Sequence, residues 1–182
     1  MDATRSAHDR LDAHIMAAEP FRDRDRYVRL LRMQYRFHHH VDPFYLMPLP
    51  LPAALDMPAR RRLDRVRQDL ADLGEAPPPA HHHGLPDPHR TDPMTAIGWL
   101  WVAEGSNLGA ASLSKRAATL GLDGSFGARH LAAHPDGRGA SWKAFTKAVN
   151  QLDLDHADNA RMLQGARDAF AHVRMLADAA FS

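Results

Sequence analysis

Cysteine is absent from this sequence of 182 residues. A chain without cysteine forms no disulfide, has no thiolate nucleophile and binds no metal through a cysteine thiolate. Disulfide-stabilised folds, thiolate catalysis and cysteine-based metal sites are therefore excluded. A structural zinc site of the usual four fixed ligands is also not expected, because nothing else in the pattern supplies such a set.

An excess of charge of one sign and a long apolar run are also missing. The 23 basic and 22 acidic residues leave a formal net charge of +1, which gives no global attraction to nucleic acid or to a membrane surface. No apolar run reaches transmembrane length, and the N-terminus has no signal-peptide pattern. We expect a cytoplasmic protein with one domain over residues 1–182. Because no heptad seam is present, we expect a monomer.

Strand patterns are missing as well. Valine, isoleucine and threonine are sparse and do not alternate over a useful length, whereas alanine, leucine and arginine dominate. The sequence therefore predicts an all-α, single-domain helical bundle. The expected helices are Thr4–Ala18, Asp23–Val41, Pro58–Gly74, a long helix between Asp92 and Gly121, Phe126–Ala133, Ser141–Leu152 and His156–Phe181.

The long helix contains three interior glycines, Gly98, Gly105 and Gly109. An interior glycine destabilises a helix by roughly 1 kcal/mol relative to alanine, so its retention indicates a close approach to the backbone. Gly105 and Gly109 are four residues apart and share a face, which would suit a planar cofactor. Close packing of a neighbouring helix is an equal alternative. The Gly105-Ser106 pair is also a candidate for a bend.

Thirteen histidines are many for this length, and six of them lie in the triplets 38–40 and 81–83. Consecutive helical residues point in different directions, so neither triplet makes a chelating face. His8, in contrast, shares an apolar stripe with Leu11 and Ile15. It is either a hydrogen-bonded core residue or a haem iron ligand, since neutral imidazole is a common axial ligand. The glycine strip could cover the other face of the haem.

Short motifs along nearly the whole chain identify a resemblance. They are AHDRLD at residues 7–12, EPF at 19–21, QY at 34–35, PFY at 43–45, DLADLG at 69–74, GW at 98–99, EGSNLGAA at 104–111, FGARHL at 126–131 and WKAF at 142–145. In this order they resemble the bacterial haem oxygenases of iron-acquisition and bacteriophytochrome systems. The resemblance implies haem held between a proximal helix and a kinked, glycine-rich distal helix. It also implies cleavage of haem to biliverdin, CO and ferrous iron, with O2 and with electrons from a separate reductase or ferredoxin.

The resemblance also implies roles for individual residues. His8 would be the proximal iron ligand, and Gly105, Ser106, Asn107 and Gly109 would form the distal motif, with Ser106, Asn107 and water delivering protons. Leu11, Trp101 and Phe170 would contact the haem. The side chains that resemble water-ordering groups are Gln34, His38, Arg62 and Trp142, with His39 and Arg61 as alternatives in alignment; core packing is an equal interpretation for Trp142 and Phe170.

Two departures from the family pattern concern the haem propionates. Trp101 stands where some relatives have a tyrosine, and a basic residue upstream of the proximal histidine would fall at or before Met1. Lys115, Arg116 or Arg174 would have to anchor the propionates instead. Since this anchoring sets the rotation of the ring, the biliverdin isomer is left open.

Two other function classes compete with the enzyme. A non-catalytic haem-binding or haem-sensing module would use His8 and the glycine strip equally well. A haem-independent protein resembling a thiamin hydrolase would need a nucleophilic cysteine or convergent carboxylates, and the chain has no cysteine.

Overall fold

The computed structural model describes residues 5–79, 85–87 and 89–182, with the side chain of Arg5 left out. Six α-helices and no strands occur in these ranges, so the all-α prediction is confirmed. Their bounds are α1 Arg5–Ala17, α2 Arg24–Val41, α3 Leu63–Asp72, α4 Pro93–Ala118, α5 Arg138–Asn150 and α6 His156–Phe181. Within the described part of the chain, no helix is both long and apolar enough to cross a membrane. The histidine triplet at 81–83 lies outside the described residues.

Local capping signals set the ends of the central helix, α4. The Asp92 side chain accepts hydrogen bonds from the backbone N–H groups of Met94 and Thr95 at 3.0 and 3.1 Å, and Pro93 occupies the first turn. Gly121 lies just past the C-terminus with a φ of +74°, a conformation that glycine adopts without strain. These signals were sufficient to predict the helix.

Two predicted helices differ from the structure. Residues 126–133 hold only a short 3-10 turn, Arg129–Leu131. Gly127 has a φ of +71°, and the Asp123 side chain accepts hydrogen bonds from the N–H groups of Ser125 and Phe126, which fixes a turn before the helix could begin. The third helix begins at Leu63 instead of Pro58, because residues 57–60 form a 3-10 turn and Arg61 is extended, with a ψ of 143°, which separates that turn from α3.

Glycine determines how closely α4 and α6 pack. A Cβ on Gly98 would lie 2.8 Å from the amide N of Ala166 and closer still to the carbonyl oxygen of Met162. A Cβ on Gly165 would lie 3.1 Å from the carbonyl carbon of Thr95 and closer still to its oxygen. The two helices therefore touch backbone to backbone. For Gly98, the close-packing interpretation fits the structure.

One continuous apolar cluster surrounds α4. Its largest fully buried side chains are Trp99, Tyr27, Tyr45, Phe44 and Phe145. The helix is apolar on nearly its whole circumference over its first half, as expected for a helix with neighbours on all sides. From Val102 onward, each face of α4 has different neighbours. One of these faces lines the candidate site.

Candidate haem site

A cavity opens between α1, α2, α4 and α6 where α4 and α6 are no longer in backbone contact. We call it the central cavity; it contains about 960 Å³ of empty space, its mouth to solvent included. The lining side chains are mostly apolar: Leu11, Ile15, Met16, Phe21, Leu30, Met33, Phe37, Val102, Leu113, Phe170 and Val173, with the polar residues His8, Asp12, Gln34, Ser106 and Ser112 and with Gly109.

One face of α4 forms a wall of the central cavity. Val102, Ser106, Gly109 and Leu113 recur every three or four residues, so they lie in one row. A Cβ built on Gly109 has nothing within 4 Å, so the wall is recessed at this residue. The Ser106 hydroxyl donates a 2.7 Å hydrogen bond to the carbonyl oxygen of Ala103. This type of bond favours bending of a helix, but a bend at Gly105-Ser106 stays a prediction.

α1 forms another wall of the central cavity and carries His8. The His8 side chain is 49% exposed and lines the cavity together with Leu11 and Ile15, so the stripe read from the sequence does face inward. The His8 Nδ1 lies 3.6 Å from Oδ1 of Asp9, too far for a hydrogen bond. A 2.6 Å contact between His14 Nε2 and Asp178 Oδ1 links α1 to α6. The imidazole of His8 is therefore held at the edge of the cavity by a helix that is itself anchored.

A second face of α4 turns to α5 instead of the cavity. The ring centroids of Trp101 and Trp142 lie 4.8 Å apart in an edge-on arrangement. A Cβ on Gly105 would lie 3.5 Å from Cη2 of Trp142. Trp101 and Gly105 therefore pack against Trp142, whereas Ser106 and Gly109 line the cavity. The shared face predicted for Gly105 and Gly109 is divided between two neighbours, and their roles at the haem stay predictions.

A third face of α4 carries a buried ion pair. The Glu104 carboxylate accepts hydrogen bonds from Tyr45 Oη at 2.9 Å and from Arg60 Nε and Nη2 at 2.9 and 2.6 Å. The side chains of Arg60 and Glu104 are only 5% and 3% exposed. Burial, followed by the nearby Glu104 charge, raises the pKa of Tyr45 well above its ordinary value, so it stays a hydrogen-bond donor. Glu104 therefore has a structural role.

Asn107 lies on this third face as well and lines a second, polar cleft. We call this the arginine cleft; it is lined by Ala59, Arg60, Arg62, Arg65, Glu104, Asn107, His134, Pro135 and Ser141. The Asn107 side chain thus belongs to a different space from Ser106, its neighbour in sequence. Its predicted part in proton delivery is not supported by a position on the cavity wall.

The two polar residues predicted on α2, Gln34 and His38, also lie in different surroundings. Gln34 lines the central cavity, whereas His38, one turn later, is 3% exposed and lies in the protein interior. Burial, with the positive charges of Arg62 and His130 nearby, lowers the pKa of His38 to about 3. His38 is therefore a neutral imidazole at physiological pH and cannot serve there as a cationic acid.

Sequence reasoning missed a buried pair, formed by Asp69 and His130. The His130 Nδ1 lies 2.7 Å from Oδ2 of Asp69, and the backbone N–H groups of Arg129 and His130 donate to the same carboxylate at 2.8 and 2.9 Å. Burial raises the pKa of Asp69, but these hydrogen bonds outweigh it and the net shift is downward. Both residues occur in quoted motifs, yet 61 residues separate them and no local spacing links them.

Comparison with known proteins identifies the family of this chain. The family model described as haem oxygenase matches residues 1–178. The chain belongs to the haem oxygenase family. It is 38% identical over 181 residues to haem oxygenase PigA of Pseudomonas aeruginosa PAO1, covering 98% of this chain and 89% of that protein. A solved NO- and CO-bound haem oxygenase from Neisseria meningitidis has 42% identity and a TM-score of 0.86, covering 98% of this chain and 87% of that one.

As a haem oxygenase, the chain is an oxidoreductase that cleaves haem, and the expectation of the enzyme class is confirmed. The structure brings six of the predicted site residues to the central cavity, namely His8, Leu11, Gln34, Ser106, Gly109 and Phe170. His38, Trp101, Gly105 and Asn107 occupy the other environments described above.

Proposed function

We propose that this haem oxygenase binds haem in the central cavity, with His8 as the ligand of the iron. The observation that carries this assignment is that His8 on α1 and the recess at Gly109 on α4 line the same cavity. His8 is the one imidazole among the described residues that line the cavity. An accessible neutral imidazole is a common axial ligand of haem iron.

The cavity fits a flat apolar ring. Its walls are built from aliphatic, methionine and phenylalanine side chains, and the α4 wall lacks a Cβ at Gly109. Such a recess leaves room for a small diatomic ligand but little for a bulky one. Bound haem would supply both the iron at which O2 reacts and the ring that is cleaved to biliverdin, CO and ferrous iron.

The protein's own contribution to proton supply is proposed to come from Ser106 and Gln34. The Ser106 hydroxyl uses its proton for the Ala103 carbonyl, so its oxygen can accept a hydrogen bond from water in the cavity. Gln34 lies on a neighbouring wall and offers both a donor and an acceptor. Together these groups would hold water in position without a fixed acidic side chain, and water would carry the protons.

Arg116 is the proposed anchor for a haem propionate. It lines a side cleft with Arg22 and Thr119, and this cleft shares Met16 and Phe21 with the central cavity. A carboxylate at the mouth of the cavity could therefore meet a guanidinium group, which matches it in geometry and charge. Of the three predicted anchors, Arg174 is already hydrogen-bonded to Asp178 at 3.2 Å, which supports Arg116 over Arg174.

The remaining parts of the proposal concern the cellular setting. Electrons would come from a separate reductase or ferredoxin, as in the family that the chain belongs to. We propose that the enzyme works as a cytoplasmic monomer.

The test of the iron ligand is His8→Ala, with His156→Ala as the control. His156 is an exposed histidine at the start of α6, so its loss removes an imidazole without touching the cavity. Each protein is titrated with hemin, and a reductant is then added in air while absorbance is followed. We expect a stoichiometric Soret band and conversion to biliverdin in the wild type and in His156→Ala. His8→Ala should fold normally but lose the normal ligation spectrum and most turnover. Unchanged spectra and turnover in His8→Ala would assign the ligand to another residue.

A further inference from the structure

The arginine cleft lies across α4 from the central cavity and takes no part in the function proposed above. It contains about 490 Å³ of empty space, its open mouth included. Its lining comes from the segment before α3, from α3 itself, from α4, from the loop at 134–135 and from the start of α5. Polar groups from separate parts of the chain thus converge on one small space.

Positive charge in this cleft exceeds negative charge. Arg60 is balanced by its ion pair with Glu104, the one carboxylate among the described lining residues. Arg65 has no hydrogen bond or ion pair within the described part of the chain. Asp64 pairs with Arg67 at 2.8 Å, and the Asp136 carboxylate lies 3.5 Å from Nδ1 of the lining residue His134. Neither Arg62 nor Arg65 has an ion pair of its own among the described residues, so the lining carries an excess of positive charge.

Arg62 is a buried cation with an unsatisfied donor. It is only 7% exposed, and its Nη1 donates to the carbonyl oxygens of His130 and Ala132. Its Nε is buried and has no partner among the described residues. A buried N–H without an acceptor is unfavourable, and a charged one more so. Burial lowers the pKa of Arg62 to about 10; the nearby Tyr45 and Glu104 oppose this shift, and repulsion from Arg65 and Arg138 adds to it.

Neutral donors complete the lining. The Ser141 hydroxyl oxygen accepts from Arg60 at 2.8 Å, which leaves its proton free to donate. The backbone N–H of Asp136 donates to Nδ1 of His134 at 3.2 Å, so in the neutral imidazole the proton is on Nε2. The Asn107 amide lines the same space. Donors on several sides suit a tetrahedral oxyanion better than a planar one.

We propose that the arginine cleft is a binding site for a small oxyanion of the phosphate class, held by Arg62 and Arg65 with support from Ser141 and His134. Guanidinium groups bind phosphate oxygens through parallel hydrogen bonds, which gives geometric selectivity as well as charge. None of the residues that line the arginine cleft also lines the central cavity.

The experiment is a titration of the full-length protein with inorganic phosphate at constant ionic strength, maintained with chloride. Amide ¹H–¹⁵N spectra locate the binding, and thermal unfolding measures its effect on stability. We expect saturable shifts at Asn107 and Ser141 and none at Gly74, which lies beyond the far end of α3. At ten times the dissociation constant, Tm should rise by about 3–6 °C. Acetate in place of phosphate provides the carboxylate arm.

Arg65→Gln is the test variant and Arg67→Gln the matched control. Both remove one positive charge from α3, but Arg67 lies outside the cleft. Arg65→Gln should weaken phosphate binding by about tenfold or more, as expected for loss of a charge-assisted hydrogen bond, while Arg67→Gln should leave it unchanged. Equal weakening by both variants, or shifts that do not saturate, would overturn the site. Tighter binding of acetate than of phosphate would overturn the assignment to the phosphate class.

Discussion

Gly98 and Gly109 occupy the same helix but should respond to substitution in opposite ways. A Cβ on Gly109 meets nothing within 4 Å, so Gly109→Ala gains helix propensity without a clash. We expect its free energy of unfolding to rise by about 0.5–1 kcal/mol, which corresponds to a Tm increase of about 1–4 °C. A Cβ on Gly98 would instead meet the backbone of α6 at Met162 and Ala166. Backbone cannot turn aside as a side chain can, so overpacking of about 1–3 kcal/mol should exceed the propensity gain.

At Gly109, a large side chain should impair haem binding and turnover, although alanine there should stabilise the fold. Gly109→Leu places four carbon atoms in the recess at residue 109, and we expect haem affinity to fall by about tenfold or more, with loss of turnover. The assays are thermal unfolding without haem, hemin titration at the Soret band and the rate of biliverdin formation. Wild-type turnover in Gly109→Leu would refute the use of the recess. A Gly98→Ala protein as stable as the wild type would refute the backbone contact between α4 and α6.

Three other outcomes follow from buried charge and from the cavity mouth. Glu104→Gln leaves the Arg60 charge buried without its partner and should lower the free energy of unfolding by about 3–5 kcal/mol in denaturant titration; a loss below 1 kcal/mol would contradict the buried pair. His38 has a pKa of about 3 when folded and 6.5 as its ordinary value, so its protonation favours the unfolded chain and stability falls as pH drops between these values. In His38→Leu the slope across that window should be smaller by about 1.4 kcal/mol per pH unit, and an unchanged slope would contradict a buried neutral imidazole. Arg116→Ala should alter the ratio of biliverdin isomers measured by chromatography, whereas an unchanged ratio would exclude Arg116 as a propionate anchor.

Features with local causes could be predicted from the sequence. Asp92, Pro93 and Gly121 act within one turn of the helix they delimit, and His8 shares an amphipathic stripe with its near neighbours. The same local reasoning failed at residues 126–133, where helix-forming composition was outweighed by the Asp123 turn and the positive φ of Gly127.

Features that depend on distant residues could not be predicted. The three glycines of α4 are alike in sequence, but Gly98 meets α6, Gly105 meets Trp142 and Gly109 meets the cavity. Each role is set by a neighbour far away along the chain, and helical periodicity does not report that neighbour. The Arg60–Glu104 pair, 44 residues apart, is hidden from local patterns for the same reason.

The backbone contact between α4 and α6 has a consequence for the dimensions of the haem site. Side chains change rotamer and adapt to one another, but the contact at Gly98 and Gly165 has no side chain that could adjust. The separation of the two helices at that contact is therefore fixed, and it sets how far apart their backbones lie at Ser106 and Phe170. Substitutions elsewhere in the apolar core can lower the stability of the fold while leaving the separation of α4 and α6 unchanged. A change in the backbone spacing of α4 and α6, in contrast, is expected from a change at one of these two glycines.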